Sequence, residues 1–291
     1  MTDLALPLTQ SEAFERTCNT LGVLVKRYDS PYGTCLVQSR KLPVIGLFHL
    51  ISRGPVIQDE AGRAALLADI RSDLRGPLVV NAPAGDKSPS GIRFAGGAEL
   101  AMIDLMAPDQ MRTRLHQKWR NQLKKGEKSD LTLLDQPLDA RRHAWFLEAE
   151  QAQQKARQYR GHPAGFLLAY AAANKGQARL YTAMDGPDPV AGMLILKHGQ
   201  MATYQAGVTT DRGRQCCAHN LLLWTIMTDL QRKNVSQLDL GRADLSDGLR
   251  RFKLGAGARV EKLSGTYWLP GWRKRRSQTE SRTEQKAASA A

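Results

Sequence analysis

Three short runs in the second half of the chain combine glycine, cations and a helix start in a way that suits an anionic ligand. They are Arg212-Gly213-Arg214-Gln215, Gly241-Arg242 and Gly248-Leu249-Arg250-Arg251-Phe252-Lys253. All lie within 201–258, which reads as a strand (201–208), a turn ending in 212–215, an apolar helix (218–233), a strand (237–240) and then the two later runs. A strand, turn and helix in that order aim backbone N–H groups and the positive end of a helix at one point. Acyl and phosphate-bearing ligands fit such a point.

The whole composition agrees with an anionic partner. Forty-two Lys and Arg against 28 Asp and Glu leave a net charge of +14 on 291 residues, which attracts polyanions such as RNA, an anionic membrane face or a phosphorylated substrate. An Arg-rich proteome is the plain alternative. The four cysteines, Cys18, Cys35, Cys216 and Cys217, form no C-x-x-C pair, which argues against a disulfide framework or a zinc site. The adjacent Cys216-Cys217 pair reads as small buried residues ahead of a thiol nucleophile. His49, His116, His143, His162, His198 and His219 show no metal-ligand spacing, so no metal is expected. Residues 1–17 have no basic run followed by an apolar one, and the longest apolar stretch, 164–173, is too short to span a bilayer. The expectation is a cytoplasmic protein without a transmembrane segment.

The elements that must position these residues follow from periodicity. Short alternating runs at 21–27, 33–39 and 47–52 read as meander strands, followed by a helix over 59–75, stopped by Gly76-Pro77, and a buried strand at 78–81. Residues 82–97, rich in Pro, Gly, Ser and Lys, read as a mobile surface loop. A basic helix is expected over 109–128, carrying Arg112, Arg114, Lys118, Arg120, Lys124, Lys125 and Lys128 against Glu127, with further helices at 139–159 and 165–173. Strands at 178–184, 190–197 and 201–208 follow. The order of three strands, a helix and a strand thus occurs twice, suggesting two similar half-molecules, 1–108 and 109–270, ahead of a basic, disordered tail at 271–291.

The run Leu238-Asp239-Leu240-Gly241-Arg242, then Gly248 to Lys253, then Gly255-Ala256-Gly257-Ala258, resembles the conserved C-terminal block of the FemABX family of the GNAT superfamily. The basic run at Lys118 to Lys125, Arg53-Gly54-Pro55 and the strand from Tyr204 into a Leu-Leu-Leu-Trp helix add weaker likeness. The resemblance implies an α/β fold with a mixed sheet: tandem GNAT-like domains, each a mostly antiparallel sheet flanked by helices. The long coiled-coil arm of some members has no counterpart. It implies an acyltransferase that moves an acyl or aminoacyl group to an amine, with no permanently bound cofactor and with aminoacyl-tRNA or acyl-CoA as donor substrate. A peptidoglycan precursor, a protein N-terminus, an amino sugar or a small amine fits as acceptor.

Attack of an amine on an ester or thioester builds a negative oxygen and a positive nitrogen. The resemblance assigns the first to backbone N–H groups of the 201–208 strand, and Phe252 and Lys253 to the donor end of the channel, where the Lys stabilises developing charge. The competing reading of Lys253 is a solvated Lys beside a core Phe. Arg242 follows a buried strand end and fits a donor phosphate or substrate carboxylate, or else a structural ion pair with Asp239 or Asp244. Tyr204 is the preferred polar site residue on the central strand, while Asp239, Glu148 and Glu150 remain open as general bases. The 212–218 loop lacks the glycines of a GNAT pyrophosphate loop, which leaves Arg212, Arg214 and the helix end to hold a donor. Arg250 joins them as a donor-binding residue. Lys118, Arg120 and Lys124 suit a tRNA acceptor stem or nucleotide phosphates, against a solvated basic face. A catalytically inactive GNAT-fold module binding RNA or an anionic membrane surface, by peripheral contact, is the alternative function.

Overall fold

Charged and small residues at the element boundaries set a chain of alternating strands and helices. The computed structural model describes residues 5–43, 46–86 and 91–269. In order these form α1 (Glu12–Thr20), β1 (Leu24–Ser30), β2 (Gly33–Leu42), β3 (Gly46–Ser52), β4 (Val56–Ile57), α2 (Arg63–Asp73), β5 (Leu78–Ala84), β6 (Ile92–Ala95) and β7 (Glu99–Asp104). Next come α3 (Pro108–Arg114), α4 (Gln117–Glu127), β8 (Thr132–Pro137), α5 (Ala144–Arg157), α6 (Ala164–Ala173), β9 (Ala178–Asp185), β10 (Asp188–His198) and β11 (Met201–Thr209). The last are α7 (Asp211–Gln215), α8 (Ala218–Arg232), β12 (Gln237–Arg242), α9 (Asp247–Gly255) and β13 (Arg259–Leu269). The expected basic tail, 271–291, lies outside the described residues.

The strands join in one mixed sheet in the order β1-β2-β3-β5-β13-β7-β12-β11-β10-β9-β8. Its two ends repeat one topology. β1 to β2 and β2 to β3 are antiparallel, then β3 pairs in parallel with β5 through the α2 crossover. β9 to β10 and β10 to β11 are antiparallel, then β11 pairs in parallel with β12 through α8. A parallel partner needs a crossover helix, so each repeat spends its helix at the same place. The centre is an exchange: β7, from the first half of the sequence, pairs with β12, and β13, the last strand, pairs with β5.

Leu66 and Ile70 of α2 cover one face of the first repeat, over Cys35, Val37, Ile51, Leu78, Val80, Tyr267 and Leu269. On the second repeat α4 and α8 bury Trp119, Leu123, Leu222, Leu223 and Ile226. A third core, from α1, α5 and α6, packs Phe14, Phe146, Phe166 and Tyr170 on Leu36 and Leu194, joining the two repeats.

Four expectations need correction. The single basic helix breaks into α3 and α4 because Leu115 is extended and buried, and His116 N–H donates to Gly255 O at 3.0 Å instead of continuing the helix. The helix expected from 139 starts only at Ala144, since Asp139 Oδ1 accepts the Arg141 and Arg142 N–H groups in a local turn that competes with helix. The helix expected over 59–75 opens with a tight 3-10 turn, Glu60–Gly62, after Asp59 caps Ala61 N–H. The stretch read as a loop from 82 contains the end of β5 and all of β6, held by ladder bonds to β13 that no local signal announces.

The strand exchange makes the first repeat depend on the end of the chain. Leu269→Ala should cost about 2–5 kcal/mol, read as a lower urea midpoint of the full-length protein with the slope unchanged.

Candidate active site

The two central strands of the second repeat part company. β11 and β12 pair at Met201 with Gln237, Ala202 with Leu238 and Thr203 with Asp239, and no later residues pair. A bulge helps to open them: Leu194 faces Ala206 and Ile195 faces Tyr204, leaving Gln205 as the extra residue on β11. A bulge of this kind bends its strand and ends regular pairing. Beyond Thr203 the β12-facing backbone of β11 is therefore outside the ladder. His198 anchors the last paired residue. Its Nδ1–H donates to Leu6 O at 3.1 Å and its Nε2 accepts from the Thr203 hydroxyl at 2.9 Å, and burial pushes the imidazole down to about 4.

Across the gap stands α9. Ser246 caps it by accepting Leu249 N–H at 3.3 Å, and Asp247 in its first turn complements the dipole. The helix buries Lys253, 5% exposed, and its Nζ donates to Arg242 O at 2.7 Å. Gly241, at φ +73°, lets the strand turn there, and Asp239 Oδ1 accepts the Gly241 N–H at 2.7 Å. The other Asp239 oxygen pairs with Arg53, reaching over from the first repeat. Burial brings the Lys253 ammonium down to about 8, against the opposing pull of Asp239 and Asp244. Phe252 lies between Trp119 of α4, at 6.2 Å between ring centroids, and His219 of α8, at 6.3 Å. His219 Nε2–H in turn donates to Val208 O at 3.0 Å, so the aromatic group connects α9 with the free end of β11.

Tyr204 packs on the core of the second repeat, with burial raising its hydroxyl pKa so that it stays protonated. Its hydroxyl lies over Gly207, where a Cβ would come within 1.9 Å, so a larger residue there would displace the Tyr204 ring. Beside it, Gln153 Nε2 donates to Gly207 O at 3.1 Å. Glu150, buried on α5, accepts from Tyr159 at 2.8 Å and from Gln153 and Gln154, and burial raises its pKa despite these bonds. Sequence left Glu150 open as a general base together with Asp239, Glu148 and Tyr204; Asp239 is buried too, but Arg53 and the Gly241 N–H occupy its two oxygens.

The arginines proposed from sequence already have partners. Arg242 holds Asp244 with both Nε, at 2.9 Å, and Nη2, at 3.1 Å. Arg250 pairs with Glu99, Arg212 with Asp185 at 2.6 Å, and Arg214 with Asp211. Arg120 donates to Gln117 at 2.9 Å. Lys118 and Lys124 are exposed on α4, and among the described residues no carboxylate pairs with either. The segment 211–215, most of it expected as a turn, is the helix α7. Thr210 Oγ1 takes the Gly213 N–H at 3.1 Å, and the Arg214, Cys216 and Cys217 N–H groups go to Thr210, Arg212 and Arg214 carbonyls.

Two cavities flank this region. One, about 670 Å³, lies between α4 and α7 and is lined by Asn121, Lys124, Lys125, Lys128, Arg212 and Gln215. The other, about 260 Å³, lies where the repeats meet, with Arg53, Glu60, Arg63, Gln237 and Glu261 on its wall. Neither is lined by Phe252 or Lys253.

The chain belongs to the GNAT acetyltransferase family: the family model described as "Acetyltransferase (GNAT) domain" matches residues 110–262. Among solved structures it resembles FemX, at TM-score 0.74 and 13% identity, over 91% of this chain and 92% of that one. It also resembles the C-terminal domain of a putative lysylphosphatidylglycerol synthetase from Agrobacterium fabrum, at TM-score 0.61 and 15% identity over 88% and 87%. A tandem GNAT protein from the clavulanic acid biosynthesis pathway follows at TM-score 0.51 and 14% identity, over 87% and 84%. A comparison with curated proteins gives no match. Among the described residues no helix is long and apolar enough to cross a membrane.

Two measurements test this geometry. A ¹³C titration of the Lys253 side chain should give a midpoint near 8, below the 10.5 of a free lysine. Because the unfolded chain keeps that proton up to the higher value, raising the pH from about 8 towards 10.5 should stabilise the fold. Arg53→Ala leaves the Asp239 carboxylate buried without its cation, and the expected loss is about 3–5 kcal/mol in chemical denaturation.

Proposed function

We propose that the protein transfers an acyl or aminoacyl group from an activated donor to an amine, with the reaction at the gap between β11 and β12. The observation that carries this reading is the parting of the two strands after Thr203 and Asp239, with the Lys253 cation buried on the β12 side. The amine nitrogen attacks the donor carbonyl and a C–N bond forms. The oxygen becomes negative, and the free N–H groups of β11 beyond Thr203 and the Lys253 ammonium stabilise it. Glu150, its pKa raised by burial, takes the amine proton directly or through a water. The ester or thioester bond then breaks, and the leaving group departs with a proton. Tyr204 and Phe252 shape the walls.

For the donor we favour aminoacyl-tRNA. Helix α7 uses up the backbone N–H groups that a glycine-rich loop would offer a pyrophosphate, whereas α4 and α7 present Lys124, Lys125, Lys128 and Arg212 along a cavity wide enough for a phosphate chain. Lys118 extends that row on α4. Acyl-CoA is the second reading, supported by the acetyltransferase description of the family. The acceptor amine, of a small molecule, a peptidoglycan precursor or a protein N-terminus, would enter from the cavity between the repeats. The working unit is then two halves, 1–108 and 109–270, with β7 and β13 exchanged between them.

Native mass spectrometry of the protein from its own host, with and without RNase and high salt, should show bound tRNA; a retained CoA thioester would select the second donor. In a transfer assay with that donor, Lys253→Ala should lower kcat by about 10²–10³-fold. Charge reversal at Lys124 and Lys128 should raise KM for the donor and flatten its salt dependence, leaving kcat alone. Full turnover by Lys253→Ala would remove Lys253 from the mechanism, and no transfer by the wild type with either donor would leave the binding-module function.

A further inference from the structure

Helix α5 ends in a turn that folds back on its own carboxylate. Gln158, at φ +54°, closes the helix in the left-handed conformation, and the Gly161 N–H donates to Gln154 Oε1 at 3.1 Å. The chain therefore reverses and sets the Tyr159 hydroxyl against Glu150, 2.8 Å from one oxygen and 3.0 Å from the other. Gln154 Nε2 donates to the first of these oxygens at 3.1 Å and Gln153 Nε2 to the second at 3.2 Å. Burial raises the carboxyl and these donors hold it back, so each of them helps to decide when Glu150 can accept a proton. The other ionisable groups facing it are Arg157 of its own helix and Tyr204 of β11, which stays protonated.

Gln153 reaches further than the carboxylate. Its Nε2 also donates to the Tyr159 Oη and to Gly207 O, both at 3.1 Å, so one amide group serves acceptors on α5, on the returning turn and on β11. Gly207 lies on the open stretch of β11. The Thr210 N–H donates to Val190 O at 2.9 Å and Val208 stands opposite Gly192. Alternation in an antiparallel ladder therefore turns Val208 towards β10, and the N–H and C=O of Gly207 away from it, to the side that β12 has left. A bare carbonyl oxygen on that edge would repel the negative oxygen that the N–H groups beside it stabilise. Gln153 covers this carbonyl with a donor.

We propose that Gln153 is a positioning residue of the transfer reaction, whose single side-chain amide holds the Glu150 carboxylate in place and masks the Gly207 carbonyl on the strand edge where the acyl oxygen binds. This rests on the reaction proposed for the gap between β11 and β12. Two variants separate the two tasks: Tyr159→Phe removes a donor to Glu150 and leaves the bond to Gly207, whereas Gln153→Met, of similar length, removes both. In each, the ¹³C carboxyl titration of Glu150 should move to higher pH, because a withdrawn donor costs the carboxylate more than the neutral acid. Only Gln153→Met should displace the Gly207 carbonyl ¹³C resonance, a reading that needs no turnover. Transfer is measured with total aminoacyl-tRNA or acetyl-CoA as donor and a lysyl peptide, an amino sugar and a peptidoglycan stem pentapeptide as acceptors. The rise of kcat with pH should shift upward in both variants. Above that rise Tyr159→Phe should regain the wild-type kcat, while Gln153→Met should stay about tenfold or more below it with KM for the donor unchanged. Circular dichroism should show both variants folded. The proposal is overturned if Gln153→Met reaches the wild-type kcat at high pH, if its Gly207 resonance does not move, or if neither variant shifts the Glu150 titration. Any of these results beside an active wild type keeps the reaction and removes Gln153 from it, whereas no transfer by the wild type with either donor overturns the reaction and this assignment together.

Discussion

The buried pair between Arg53 and Asp239 joins the two repeats across 186 residues of sequence, and the candidate site is built around it. A carboxylate that is 2% exposed is costly to ionise unless both its oxygens are satisfied. Arg53 serves one oxygen and the Gly241 N–H the other. The second bond holds the turn at Gly241, which presents Arg242 O to the Lys253 ammonium. A side chain of the first repeat thus fixes, through one carboxylate, the place of the cation in the second.

Close backbone approach is the other constraint. Gly255 packs against Trp119, where a Cβ would come within 2.8 Å of the indole, and this brings α9 onto α4 with Phe252 between Trp119 and His219. Gly207 does the same for the Tyr204 hydroxyl on β11. Trp119, Phe252 and His219 thus pack α4, α9 and α8 against one another beside the parted strands.

Much of the fold was legible in local pattern. The doubled order of strands, helix and strand at 21–81 and 178–240 reappears as one pairing scheme used twice, because alternation and helical spacing report directly which face of an element is buried. The site was legible in part. Phe252 and Lys253 stand beside the parted strands, and the alternative reading of Arg242 as an ion pair with Asp244 is the one the side chains adopt. Arg212, Arg214 and Arg250 are engaged by nearby carboxylates, which residue type alone could not reveal. Glu150 was one of several open general bases in the sequence, and its burial against Tyr159 is visible only in the fold.

By itself the sequence determined the kind and order of the elements, the family block at 238–258 and the excess of positive charge, since these depend on composition and on spacing within a few turns of chain. Tertiary structure alone decided that β7 and β13 change places, that α3 and α4 separate at His116, and that Arg53 meets Asp239. Each of these is a choice of partner between distant segments. It is settled by burial and by hydrogen bonds that no neighbouring residue can supply.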